Sequence, residues 1–305
     1  MFVPAKAPFY GAQAASEIGN SDVAIFGAPH GTPYPDMDNQ PFASAPDALR
    51  LALEEDSRWT GHWDFDLDGP LLAETDFCIT DLGNLATAAD DGAGNRGLIE
   101  QATRQIAENG TVPLMIGGDD STPIPFIRGL ESLGPLTIIQ IDAHIDWRNQ
   151  RRGEPMGFSS TMRRASEMAH VEKVVQAGIR GLGSARREEV EFAREWGAKI
   201  VTAREFHRVG LASVLQHLGP NENCLITLDC DALDAGIMPA VMAPTPGGLS
   251  YLQTIDLIAA ICETGNLVAF DMIEFVPERD LNGTAAITAA RIIANVLGGL
   301  ARKQR

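Results

Sequence analysis

The sequence LTIIQIDAHID (residues 136–146) joins an apolar run to a group of acidic residues and a histidine. Its first six residues place apolar side chains on both faces of an extended strand, which is typical of strands buried in a parallel sheet. Two later runs, CLITLDC (224–230) and NLVAFD (266–271), have the same character. The three runs therefore predict a sheet that is covered on both faces.

Short apolar runs recur along the chain and alternate with helical patterns. Eight of these runs are predicted as strands: Val23–Phe26, Phe77–Thr80, Pro113–Ile116, Thr137–Ile141, Lys173–Ala177, Lys199–Thr202, Cys224–Leu228 and Leu267–Phe270. This alternation is typical of an α/β fold. We expect three layers: a mostly parallel, doubly wound, eight-stranded sheet with helices on both faces.

The helical patterns have apolar residues near the spacing of an amphipathic helix. The main ones are Arg96–Asn109, Ser184–Trp196, Ser250–Thr264 and Thr284–Leu300. In the last, four residues are predicted to form one buried face: Ile287, Ile292, Ile293 and Val296. No linker divides the chain, so residues 1–305 are predicted to form a single domain.

Composition limits the classes of protein to which the chain belongs. The 305 residues include 24 Lys and Arg against 41 Asp and Glu, a net charge of −17. Such an acidic chain repels phosphate, so we expect neither nucleic acid nor an anionic membrane as a partner. No apolar run approaches the ~20 residues that span a bilayer, and the first residues lack the pattern of a signal peptide. We therefore predict a cytoplasmic protein.

Acidic residues directly follow three of the predicted strands, in GGDDS (117–121), DAHID (142–146) and DCDALD (229–234). In an open α/β sheet, the carboxyl ends of the strands form the crevice in which ligands bind. Three strand ends thus bring seven carboxylates and one imidazole to one edge of the sheet. Like charges are costly to bury together, and a multivalent cation relieves their repulsion.

The predicted donor atoms suit particular ions. Oxygen ligands with one histidine fit Mn²⁺ and, less specifically, Fe²⁺, Ni²⁺ or Zn²⁺. Residues two apart in an extended segment lie on the same side, so Asp142 with His144, and Asp229 with Asp231, are expected to converge. If Asp142 or Asp229 bridges two ions, these lie ~3.5–4 Å apart, as in two-metal hydrolases. The alternative is that the acidic residues only cap helices and turns.

The three acidic segments resemble motifs of the ureohydrolase family, which includes arginases, agmatinases and guanidino-acid hydrolases. The family motifs read GGDHS, DAHxD and SxDxDxxDP, and this chain has GGDDS, DAHID and TLDCDALDAGIMPAV (227–241). The segment DMIEFVP (271–277) resembles a later motif whose glutamate holds the guanidinium. Because the segments VAIFGAPHGTPY and SAPDALR also resemble the family's first strand and helix, the resemblance covers nearly the whole chain.

The resemblance implies an arginase-like fold, a homo-oligomer (trimer or hexamer) and two divalent metal ions, with Mn²⁺ expected and Ni²⁺ or Fe²⁺ as alternatives. The implied reaction is hydrolysis of a linear C–N bond of a small guanidino or amidino substrate to urea and an amine. The implied metal ligands are Asp120, Asp142, His144, Asp146, Asp229 and Asp231. Asp146 is also expected to pass a proton to the leaving nitrogen, and Glu274 to pair with the guanidinium.

The chain departs from the family motifs at two places. Asp120 stands where the family has a histidine ligand, which favours harder ions or leaves a weakened site. The segment after DAHID lacks the histidine that family members usually place there, near Phe158 or Ser159. Two alternatives therefore stay open: a catalytically silent subunit of ureohydrolase type, or a hydrolase of another amide or formimino bond.

Five arginines also follow the DAHID motif: Arg148, Arg151, Arg152, Arg163 and Arg164. Their charge favours a substrate with an anionic tail over the cationic agmatine. Ion pairs at a subunit interface, or a solvated surface, explain the same residues equally well.

Overall fold

The computed structural model describes residues 1–182 and 185–303, in which ten strands form one sheet. The strands are β1 (Phe2–Val3), β2 (Gln13–Ala14), β3 (Val23–Ala28), β4 (Ile79–Leu85), β5 (Val112–Gly117), β6 (Leu136–Ile141), β7 (Val171–Ile179), β8 (Lys199–Thr202), β9 (Asn223–Asp229) and β10 (Asn266–Ile273). The α-helices in these ranges are α1 (Ala45–Leu51), α2 (Gly92–Glu108), α3 (Pro123–Gly129), α4 (Thr161–Ala165), α5 (Arg187–Trp196), α6 (Ala203–Val209), α7 (Ala212–Leu215), α8 (Tyr251–Thr264) and α9 (Thr284–Lys303).

Eight strands run parallel in the order β4-β3-β5-β10-β9-β6-β7-β8, and the short β1 and β2 both pair with β4. This confirms the predicted fold class. The largest difference in bounds is at β4, which was predicted to end at Thr80 but continues through the buried Asp81. The strand continues because the buried Arg50 donates to both carboxylate oxygens of Asp81, at 2.8 and 2.9 Å, and so neutralises its charge.

Two apolar clusters lie on opposite faces of the sheet. In β3, Val23 and Ile25 belong to one cluster, whereas Ala24 and Phe26 belong to the other, as the alternation of side chains along a strand requires. Residues of α8 and α9 contribute to the first cluster, and residues of α2, α3 and α5 to the second. The sheet is therefore the middle of three layers. The prediction of a single domain over residues 1–305 stays a prediction.

The observed helices differ from the predicted ones in two respects. Helix α5 begins at Arg187, and the predicted start of its pattern, Ser184, lies outside the described residues. In α9, the prediction that Ile287 is buried was wrong, since this side chain is 48% exposed. Small residues such as Ala285 and Ala289 face the core there instead, because they allow the helix to lie close to the sheet.

Of the helices described, α9 alone is long and apolar enough to cross a membrane by length and composition. However, 72% of its apolar window is buried inside the fold. This burial is typical of the core helix of a folded domain.

A row of polar side chains crosses the middle of the sheet near the carboxyl ends of the strands. The register places Asp271 of β10 beside Thr227 of β9, Thr227 beside Gln140 of β6, and Gln140 beside Gln176 of β7. All four are buried. Thr227 Oγ1 donates to Asp271 Oδ1 at 2.8 Å, whereas Asp271 Oδ2 has no hydrogen-bond partner among the described residues. Burial raises the pKa of Asp271 to about 8.

This pKa predicts how Asp271 affects stability. In the folded protein the carboxyl holds its proton up to about pH 8, whereas its ordinary pKa is 3.8, so the free energy of unfolding falls as pH rises between these values. Asp271→Asn cannot ionise and should remove this part of the fall. Between pH 5 and pH 8, the free energy of unfolding of the variant should rise by at least about 1 kcal/mol relative to that of wild type. Urea unfolding at the two pH values measures this difference. The exposed Asp256→Asn is the control, and an equal pH dependence in Asp271→Asn and wild type would contradict the prediction.

Candidate active site

A cavity of about 380 Å³ opens where the central strands end. It is lined by a histidine and acidic residues that end or follow β5, β6, β9 and β10: Asp119, Asp120, His144, Asp146, Asp229, Asp231 and Glu274. Its lining also includes apolar and aromatic residues, among them Pro33, Tyr34, Met37, Phe42, Phe158 and Met242. The acidic segments thus meet at one edge of the sheet, as the crevice of an α/β fold requires.

Four acidic residues and His144 form two compact groups of possible metal ligands. The groups are Asp142, His144 and Asp231, and Asp120, Asp142 and Asp146. Within each group, one donor atom of each residue lies within 4.8 Å of the others. Asp142 belongs to both groups, which is the geometry of a shared ligand. His144 Nδ1 lies 3.0 Å from Asp231 Oδ2 and 3.5 Å from Asp142 Oδ1.

The carboxylate of Asp120 has an oxygen that is free for a cation. Its Oδ2 is buried and makes no hydrogen bond to any residue in the ranges that the structure describes. The backbone around it is fixed, because the amide of Asp120 donates to Glu274 Oε1 at 2.9 Å and Thr161 Oγ1 donates to its carbonyl. An unpaired buried carboxylate oxygen is costly, so this residue fits a metal ion.

Burial and mutual repulsion strongly affect the pKa values of this group. Burial, and then the charges of Asp146, Asp142 and Glu274, hold the pKa of Asp120 well above its ordinary value. Burial is also the largest cause of the raised pKa values of Asp142, Asp146, Asp229 and Glu274.

His144 provides a positive charge for this group in the absence of metal. Burial lowers its pKa, but hydrogen bonds and the charges of Asp142 and Asp231 raise it to about 12. One imidazolium is too little positive charge for so many carboxylates, so the site requires protons or cations from outside. Oxygen donors with one imidazole nitrogen suit a divalent ion such as Mn²⁺.

Asp229 and Asp231 meet by a different route from the one predicted. The segment is not extended, since a 3₁₀ helix over Cys230–Ala232 begins directly after Asp229. Asp229 Oδ1 caps this helix by accepting from the Asp231 amide at 2.7 Å. Asp229 also lines the cavity, although neither compact ligand group includes it. It is therefore both a helix cap and a candidate ligand.

Two residues of the site have unusual backbone conformations. Asp146 and Glu274 have φ values of 52° and 65°, a left-handed region that residues other than glycine seldom adopt. Such strain is found mainly at functional sites. The backbone amide of Glu274 donates to the Gly118 carbonyl at 2.8 Å, which directs its side chain towards Asp120.

Other acidic residues of the motifs have structural contacts. Asp119 Oδ1 accepts from the amide and hydroxyl of Ser121, and burial raises the pKa of Asp119 to about 6. Asp234 caps a turn by accepting from the amides of Gly236 and Gly247, both at 2.9 Å. These two residues orient loops around the site.

Phe158 and Ser159, the residues nearest the position of the family histidine, lie in the cavity wall. Ser159 is held by Tyr34, whose hydroxyl oxygen lies 2.7 Å from Ser159 Oγ and accepts from its amide at 3.1 Å. The rings of Tyr34 and Phe158 pack edge to face at 4.6 Å. Of the described residues that line the cavity, His144 is the only histidine. An aromatic and hydroxyl cluster thus occupies this place.

Sequence reasoning missed Tyr34 and Asn39, which follow β3 and line the cavity. Asn39 is 1% exposed, and within the described part of the chain neither atom of its amide group has a hydrogen-bond partner. Their position in the segment after β3, a strand that ends at the same edge of the sheet, was the sequence signal that could have identified them.

Only two of the five arginines that follow the DAHID motif, Arg148 and Arg151, line the cavity. Arg151 lies over the Tyr34 ring at 4.9 Å and pairs with Asp36 at 3.1 Å. Arg152 pairs with the same Asp36 oxygen but does not line the cavity. The remaining two, Arg163 and Arg164, pair with Glu167.

Comparisons with known proteins agree with this geometry. The chain is 32% identical over 212 residues to the N(1)-aminopropylagmatine ureohydrolase of Thermus thermophilus, covering 66% of this chain and 69% of the relative. It is 30% identical over 228 residues to the guanidinopropionase of Pseudomonas aeruginosa, covering 72% of this chain and 70% of the relative.

A solved structure has the same fold. The formiminoglutamase of Trypanosoma cruzi, crystallised with Mn²⁺, matches with a TM-score of 0.80 at 19% identity, over 94% of this chain and 96% of the other. Residues 21–298 match the sequence model of the arginase family. Because this match covers most of the chain, the protein belongs to the arginase family, the ureohydrolases that its acidic motifs resemble.

Proposed function

We propose that this protein is a metal-dependent hydrolase that cleaves a linear C–N bond of a small guanidino compound and releases urea and an amine. The observation that carries the proposal is the convergence of buried ligand groups beside Glu274 in one cavity. A cavity of about 380 Å³ is of the size that binds small molecules.

Two divalent ions would offset most of the negative charge of this site, and Mn²⁺ is the ion that we favour over Ni²⁺ and Fe²⁺. One ion would be held by Asp120, Asp142, Asp146 and Asp229. The second would be held by Asp142, His144, Asp229 and Asp231. When bound, such ions supply water of lowered pKa at neutral pH.

The protein's own residues would bind the substrate and move protons. Glu274 would pair with the planar guanidinium, and its orientation is fixed because one of its oxygens accepts from the Asp120 amide. The water oxygen bonds to the guanidinium carbon, and the bond from that carbon to the alkyl nitrogen breaks. Both protons of the water finally reside on the amine, and Asp146 would accept a proton and pass it to this leaving nitrogen.

Phe158 and Ser159, in place of the family histidine, favour a second candidate, in which the enzyme hydrolyses another amide or formimino bond. Assays for ammonia or formamide, run beside an assay for urea, separate the two candidates. The homo-oligomeric state and the cytoplasmic location stay predictions.

Metal content tests the centre directly. Protein purified without chelators and dialysed against Mn²⁺ and Ni²⁺ should hold about two ions per chain, measured by elemental analysis. Asp229→Asn should lose bound metal and reduce urea release by more than about 100-fold, beyond the usual effect of groups that only support a ligand. The exposed Asp256→Asn, outside the cavity, is the matched control and should behave like wild type.

Full activity in Asp229→Asn would contradict the ligand assignment. A wild-type protein that holds no more than one ion and shows no turnover would favour the silent subunit.

Asp120 is expected to select the ion. Asp120→Ala should lose one ion, whereas Asp120→His should keep both and shift the preference from Mn²⁺ towards Ni²⁺, because an imidazole suits that ion better than a carboxylate does. Elemental analysis after dialysis against equal concentrations of both ions measures this ratio. An unchanged ratio together with higher activity in Asp120→His would show that the natural aspartate is a weakened ligand.

Three other residues of the cavity lining favour a substrate with an anionic tail. Arg148 and Arg151 provide positive charge, and Asn39 offers a buried amide whose polar atoms lack partners in the described ranges. A carboxylate accepts hydrogen bonds from both kinds of group, whereas the ammonium of agmatine is repelled by the arginines.

Guanidinobutanoate and agmatine have equal chain lengths and opposite charges at the far end, so they test this preference. We expect a higher kcat/KM for guanidinobutanoate. Arg151→Met should reduce that value by about 10- to 100-fold, since a hydrogen bond to a charged group contributes roughly 1.5–3 kcal/mol. Arg152 pairs with the same Asp36 but does not line the cavity, so Arg152→Met should leave kcat/KM unchanged. Equal losses in both variants would contradict a direct role for Arg151.

A further inference from the structure

One buried side-chain amide holds two of the central carboxylates. Gln140, near the end of β6, donates through Nε2 to Asp142 Oδ2 at 2.7 Å and to Asp146 Oδ2 at 2.6 Å. An amide nitrogen has two hydrogens, so both are used. Asp146 therefore has one oxygen fixed, and Asp142 has both fixed, because its Oδ1 also accepts from the His144 amide at 2.6 Å. These bonds set the direction in which the remaining lone pairs point.

A second amide determines which way the first one faces. Gln140 Oε1 accepts from Gln176 Nε2, so its Nε2 must point towards the carboxylates. Gln176 donates its other hydrogen to the Ile145 carbonyl at 2.9 Å, and its Oε1 accepts from Trp147 Nε1 at 3.0 Å. A flipped Gln140 would place its own oxygen against two carboxylates, which repulsion disfavours.

Packing fixes the far end of this chain of hydrogen bonds. Trp147 is 1% exposed, and its ring packs against the rings of Phe192 and Trp196 of α5 at 5.9 and 5.8 Å. The loop from Asp142 to Trp147 thus folds around the two glutamines and contacts them through two carboxylates, one carbonyl and one indole. Helix α5 and the candidate metal centre are therefore linked through three residues: Trp147, Gln176 and Gln140.

We infer that Gln140 and Gln176 are positioning residues that orient Asp142 and Asp146 for metal binding. The inference rests on the proposed function, because it concerns the ligands of the proposed metal centre. Groups that hydrogen-bond to metal ligands fix ligand geometry, and their loss weakens metal affinity or activity by about 10- to 100-fold. The competing explanation is that the amides only satisfy buried polar atoms and so contribute to stability alone.

Metal affinity and stability separate the two explanations. Calorimetric titration of the metal-free protein with Mn²⁺ gives the dissociation constant, and urea unfolding of the same sample gives the midpoint. Gln140→Leu should weaken Mn²⁺ binding by about 10- to 100-fold. Gln176→Leu should also weaken it several-fold, although Gln176 contacts neither carboxylate. The milder Trp147→Phe, which removes the N–H donor but keeps an aromatic ring, should show a smaller loss. It tests the inference if the glutamine variants do not fold.

Thr227→Val is the matched control. Thr227 lies beside Gln140 in the same polar row and is equally buried, but its hydroxyl donates to Asp271, which lies outside the centre. This variant should lower the urea midpoint and leave the Mn²⁺ dissociation constant unchanged.

The outcomes are distinct. Glutamine variants that bind Mn²⁺ like wild type while their urea midpoints fall would overturn the positioning role and leave the proposed function intact. A wild-type protein that does not bind Mn²⁺, Ni²⁺ or Fe²⁺ would overturn the proposed function and this inference with it.

Discussion

Repulsion among buried carboxylates is the constraint on which the rest of this structure depends. Asp120, Asp142 and Asp146 lie in one compact group, and burial with mutual repulsion raises the pKa of each. A fold tolerates such a group only where a function requires it, because neutral residues would pack there at lower cost. The left-handed backbone of Asp146 and Glu274 adds strain at the same place.

The sheet topology brings these residues together. The candidate ligands end or follow β5, β6 and β9, and Glu274 follows β10. These four strands are neighbours at the centre of the sheet. The strands are far apart in the chain, so only the parallel, doubly wound arrangement places their carboxyl ends at one crevice. The buried ion pair of Arg50 with Asp81 lets β4, at one end of the row of parallel strands, continue through a polar position.

Much of this could be predicted from the sequence because the signals are local. Apolar runs predicted all eight parallel strands, and the acidic segments after them predicted the crevice. The rest depends on contacts between distant segments. Gln140 is one polar residue in an apolar run, and its role depends on the register that places Gln176 beside it. Asn39 and Tyr34 face the site because of a loop path, and Asp231 reaches it through a 3₁₀ helix that the extended-strand rule did not anticipate.

The aspartate at position 120, where the family has a histidine, also bears on the direction in which the proposed substrate would bind. With Asp120, five candidate carboxylate ligands carry more negative charge than two divalent ions balance, and Glu274 adds another. These carboxylates therefore favour a cation, while Arg148 and Arg151, which also line the cavity, favour an anion. A molecule with a guanidinium at one end and a carboxylate at the other matches both groups in only one orientation. That orientation places the guanidinium carbon at the metal ligands, where hydrolysis would occur.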